Sequence, residues 1–111
     1  MRRVVVTGIG TVNALAHDVP GTFAAFRGGR SGIGPLRFQD ADRLGVRIGA
    51  EVPDWRPESH FTAKEVPLLD KVTQFALVAA AEAVAMAGLP QGLGLRGGVI
   101  LGTAAGGIQT W

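Results

Sequence analysis

Apolar residues in this chain recur with two different periods, and each period predicts a different element. Residues 3–10, Arg3-Val4-Val5-Val6-Thr7-Gly8-Ile9-Gly10, form a short continuous run with three consecutive valines. β-branched residues fit a pleated surface, and an unbroken run suits a strand buried on both faces. Residues 97–102, Gly97-Gly98-Val99-Ile100-Leu101-Gly102, repeat that pattern and predict a second buried strand. Residues 46–52 alternate apolar and polar over part of their length, as a half-exposed strand would.

The 3–4 spacing of a helix face is strongest over residues 68–87. Leu68, Leu69, Val72, Phe75, Ala76, Ala79, Ala80, Ala83, Val84 and Ala87 keep to it, Gly88 stops it and Pro90 follows. From Phe75 onward the other faces carry Leu77, Val78, Ala81, Ala85 and Met86, which predicts a helix buried on all sides. A shorter helix is predicted over residues 20–28, with Pro20 setting the first turn, Phe23 and Phe26 on one face and Gly28-Gly29 as the stop. Residues 30–45 read as a loop, residues 55–67 as irregular with proline breakers, and Thr103–Gly107 as a Gly/Ala loop.

These elements raise a packing problem. One long helix and two strands, all fully buried, need layers on both sides, and 111 residues hardly supply them. The pattern therefore predicts a fragment, or one half of a two-chain assembly, that is poorly stable alone.

Composition narrows the function classes. Hydrophobic residues make up 47% and charged residues 18%, which excludes a disordered chain. The net charge of +2 is spread along the sequence without a basic run, so nucleic-acid binding lacks its usual footprint. Gly8 and Gly10 interrupt the first apolar run too early for a signal peptide, and the stretch from Phe75 to Leu89 is too short to span a bilayer. A cytoplasmic protein without membrane attachment is expected. The absence of cysteine excludes a disulfide, a thiolate metal site and a cysteine nucleophile within these residues.

Few residues offer chemistry of their own. Thr7-Gly8-Ile9-Gly10 begins as a dinucleotide-binding turn would, but the sixth position is Asn13 and no acidic residue ends a clear second strand. The alternative use of Gly8 and Gly10 is a tight approach to a neighbouring element. Gly102-Thr103-Ala104-Ala105-Gly106-Gly107 follows a strand, where small residues line ligand crevices in α/β folds, and it serves equally as a bare connection. His17 and His60 have no second ligand at metal spacing and read as surface residues. Ser31 and Ser59 stand outside any nucleophile elbow. Asp40, Asp42, Glu51, Asp54 and Glu58 read as solvated loop charge. No catalytic residue, metal site or cofactor is expected here.

Four segments in order resemble the β-ketoacyl-ACP synthase family. They are Arg3–Gly10, the stretch Phe23 to Ile33 containing Gly29-Arg30-Ser31-Gly32-Ile33, the helix from Leu69-Asp70-Lys71 to Ala87-Gly88-Leu89, and the loop Gly102–Gly107. The resemblance implies an α/β, thiolase-like αβαβα layered fold, with residues 1–111 as the first part of its N-terminal half. The all-apolar helix would then lie in a middle layer. The implied reaction is a decarboxylative Claisen condensation of an acyl thioester with malonyl-ACP, in fatty-acid or polyketide chain elongation. The resemblance puts the family's Cys and two His beyond the residues seen here, so this chain alone would be inactive. It also implies an acyl carrier protein, acyl and malonyl thioesters, and a homodimeric or heterodimeric full-length protein as partners.

Site residues follow by position. Ala105, with Gly106 and Gly107, matches the loop lining the acyl pocket near the dimer interface, where bulkier side chains gate chain length. Lys64 is what remains of the basic cluster that docks the carrier. Two departures stand out: Asn13-Ala14-Leu15-Ala16 replaces the usual course toward Pro and Gly, and Lys64-Glu65-Val66-Pro67 carries one base. They leave open a non-catalytic, chain-length-factor-like partner subunit. The alternative from another class is a small nucleotide-binding α/β module using Gly8 and Gly10.

Overall fold

The structure is a computed structural model that describes residues 1–90 and 92–107. The chain divides into two compact units, one of residues 11–55 and one of residues 1–10 with 56–111.

The 11–55 unit is built around helix α1, Val19–Arg27. Asp18 is its N-cap, and its carboxylate accepts from Gly21 N at 2.7 Å, satisfying one of the helix's orphan donors. At the other end Gly29 takes φ 62°, and Arg30 N donates back to Ala25 O at 3.0 Å. This left-handed glycine closure satisfies the last carbonyls and explains why the helix stops at the glycine pair. Val19, Thr22 and Ala25 turn inward and form the small core of the unit. Phe23 and Phe26, expected to define the helix face, are instead largely exposed and meet edge to face at 6.1 Å.

Within the expected loop 30–45, Gly34–Pro35 forms strand β1, paired antiparallel with β2, Ile48–Gly49. Leu36 N donates to Arg47 O at 2.9 Å and extends this pairing by one bond. The expected strand 46–52 is thus cut to its centre. A turn of 3-10 helix, Ala41–Arg43, carries the chain between the two, entered through Asp40 at φ 63°.

The second unit is organised by helix α2, Lys71–Ala87. It begins three residues later than the apolar pattern predicts, because Val66–Leu68 forms a separate 3-10 turn. Asp70 is extended and supplies the first helix acceptor, its carbonyl bonding Gln74 N at 2.9 Å. The buried Gln74 side chain reaches back to Leu69 O at 2.9 Å and ties the turn to the helix. Gly88, at φ 61°, ends the helix as the sequence predicts.

Two expectations are corrected here. Residues 3–10 and 97–102 are not paired strands. The only ladder among the described residues is β1–β2, and a strand is defined by the partner that takes its backbone hydrogen bonds. Their side chains stand in the open: Val5 is 75% exposed and Ile100 fully so. Nor is α2 buried on all sides. Gln74 is its one buried residue, while Leu77, Val84 and Met86 are about half exposed.

Candidate functional site

In the second unit, Gly8 and Gly10 lie directly on the backbone of α2. A Cβ added to Gly8 would collide with the Ala83 carbonyl and stand 2.9 Å from Ala87 N. One added to Gly10 would collide with the Ala79 carbonyl and stand 2.9 Å from Ala83 N. The spacing explains the register. Two residues of extended chain advance about 6.6 Å and four residues of helix about 6 Å, so glycines at i and i+2 meet alanines at j and j−4, the segment running antiparallel to the helix. Ile9 N, between them, donates to Met86 Sδ at 3.4 Å. The close-approach reading of these glycines therefore holds. A phosphate at Gly8 or Gly10 would meet helix carbonyls, which are acceptors and repel it, so the nucleotide-binding alternative loses its site.

The loop expected to line an acyl pocket touches the first turn of the same helix. Thr103 Oγ1 accepts from Gly106 N at 3.0 Å, a local turn that folds the loop on itself. A Cβ on Gly106 would stand 3.1 Å from a Val72 methyl, so the loop rests on α2 there. Gly107 is half-buried at φ 83°, and Ala105 is exposed at the bend. Lys64 stands exposed in the turn at 63–65, which leads into the helix. In that turn Glu65 Oε2 accepts from both Thr62 N and Thr62 Oγ1 at 2.8 Å. These two bonds, the backbone one foremost, hold the Glu65 carboxyl below its ordinary range. His60, in the same unit, is exposed, with its ring beside Phe61 at 6.3 Å.

In the 11–55 unit the sequence reading missed a polar hub. Asn13 Oδ1 accepts from Leu15 N at 2.8 Å and Ala16 N at 3.2 Å. Its amide nitrogen donates to Thr11 Oγ1 at 3.0 Å and Thr22 Oγ1 at 2.9 Å. All four hydrogen-bonding positions of the side chain are thus used. Thr22, buried on α1, donates its own hydroxyl hydrogen bond to Asp18 O at 2.7 Å. The departure at Asn13 therefore fastens the residue 13–16 turn to the helix. Arg30 adds a bond to Leu15 O at 3.2 Å.

His17 is likewise more than a surface residue. It is half-buried, its Nε2 lies 2.6 Å from Pro53 O, and its ring meets Trp55 edge-on at 5.4 Å. Among the loop acids, Glu51 accepts from Arg37 N at 2.9 Å, so it is not simply solvated. Beside the hub an open groove of about 560 Å³ is lined by Leu15, Phe26, Ile33 and Val52 with small residues between.

None of these groups is a nucleophile with a base beside it. The chain has no cysteine, and its two histidines hold a backbone carbonyl and a neighbouring ring. Among the described residues no three His, Asp or Glu side chains gather to hold a metal, and no helix is long and apolar enough to cross a membrane.

Comparison with known proteins decides the family. Residues 1–110 match the family model described as β-ketoacyl synthase, N-terminal domain. The chain belongs to the β-ketoacyl synthase family. It is 33% identical over 112 aligned residues to 3-oxoacyl-[acyl-carrier-protein] synthase 2 of Staphylococcus aureus (strain COL), covering 99% of this chain and 27% of that protein. It is 37% identical over 108 residues to nodulation protein E of Rhizobium meliloti (strain 1021), covering 96% of this chain and 27% of that protein. A solved structure, the ishigamide ketosynthase/chain length factor, superposes with a TM-score of 0.66 at 34% identity, over 81% of this chain and 22% of that one. The chain thus spans about a quarter of the length of the relatives it matches. The α/β, thiolase-like fold class read from the sequence agrees with both the family match and the superposition.

Proposed function

We propose that this chain is the N-terminal part of a condensing enzyme of fatty-acid or polyketide synthesis. In this reading the whole protein joins an acyl thioester to malonyl-ACP with loss of CO₂. The observation that carries it is the unbroken match of residues 1–110 to the β-ketoacyl synthase model. The 111 residues would catalyse nothing by themselves, because the acyl group needs an activated thiolate and they contain no cysteine.

Surface exposure supports the view that residues 1–111 are incomplete. Val4, Val5, Val6, Val99, Ile100 and Leu101 are each at least three-quarters exposed. Burying such side chains is worth about 1.5–3 kcal/mol apiece, so on the order of 10 kcal/mol of stabilisation is unrealised. A small domain's whole net stability is about 5–15 kcal/mol. Further strands, from the same polypeptide or from a partner subunit, would take both the side chains and the unpaired backbone.

Within that frame Ala105, Gly106 and Gly107 line the acyl pocket, and Ala105 leaves room for a long chain. Lys64 contributes to docking an acidic carrier protein. A second reading, a non-catalytic chain-length partner in a heterodimer, is favoured by two observations. The superposed structure is a ketosynthase/chain length factor, and a single lysine stands where a basic cluster would dock the carrier. Acyl transfer and CO₂ release by the native protein, assayed with acyl-ACP and malonyl-ACP, test both readings.

A further inference from the structure

We draw no further inference here: the strongest candidate, the open apolar groove of the 11–55 unit lined by Leu15, Phe26, Ile33 and Val52, carries nothing, because nothing in the structure shows what covers it.

Discussion

The Cα of Gly10 lies against the backbone of Ala79, so close that no side chain fits between them. Gly8 repeats the contact one helical turn on, against Ala83 and Ala87. The seam joins a segment at the start of the chain to a helix some 70 residues later, and glycine at these two positions is its condition. Gly10→Ala should cost about 1–3 kcal/mol, the usual range for overpacking a close contact. Gly45→Ala makes the control, because a Cβ there meets nothing within 4 Å. Denaturant unfolding of the two variants in the native protein checks the contrast; equal midpoints would dissolve the seam.

Asn13 should matter to the 11–55 unit as a hub does. Asn13→Ala strips partners from the Leu15 and Ala16 amides and from the buried Thr22 hydroxyl, at a cost of about 1–3 kcal/mol. Asn13→Asp keeps the acceptor bonds to the two amides and loses the donations to Thr11 and Thr22. Hydrogen exchange should therefore show the Leu15 and Ala16 amides faster in Asn13→Ala than in Asn13→Asp. Identical rates in both variants would contradict the geometry.

Glu65 gives a pH prediction with a definite sign. Its folded-state pKa lies below the unfolded value because the ionised carboxylate accepts two bonds from Thr62. The stability it contributes is present above the unfolded carboxylate pKa and is lost as the pH falls through the lowered folded value. Thr62→Ala removes the hydroxyl bond and keeps the backbone one, which is the larger cause. The Glu65 titration, followed by NMR of its carboxyl carbon, should then move only part of the way back to the ordinary range. No movement would mean that the hydroxyl plays no part.

Much of this was legible in the residues, and the failures share one cause. The periodic apolar spacing and Gly88 marked α2 to within three residues, since both signals are local. The runs at 3–10 and 97–102 read as strands because their composition suits a ladder, but a ladder also needs a neighbour that sequence pattern does not supply. The same holds for the site. Gly8 and Gly10 read as a tight approach to a neighbouring element, yet nothing in the motif named Ala79, Ala83 and Ala87 as that neighbour. The bonds from Asn13 to Thr22 and from His17 to Pro53 join residues 9 and 36 apart, beyond any local rule. The resemblance to the condensing enzymes was legible because it rests on the order of four segments rather than on contacts.

Ala105 tests the proposed pocket. If its small side chain leaves room for a long acyl group, Ala105→Phe in the native protein should shift product toward shorter chains while short-chain condensation continues. Chain-length analysis by mass spectrometry reads this directly. An unchanged product distribution would take Ala105 out of the pocket.

The central claim is that these residues are part of a condensing enzyme, and the most direct test is on the protein as the source cells make it. The native product, purified with an antibody against residues 1–111, would be incubated with acyl-ACP and labelled malonyl-ACP. The expected result is an acyl thioester and release of labelled CO₂. A thioester on the captured polypeptide itself means a catalytic subunit, and one on a co-purifying chain means a chain-length partner. A captured protein that forms no acyl thioester, releases no CO₂ and brings no acylated chain with it would contradict the account.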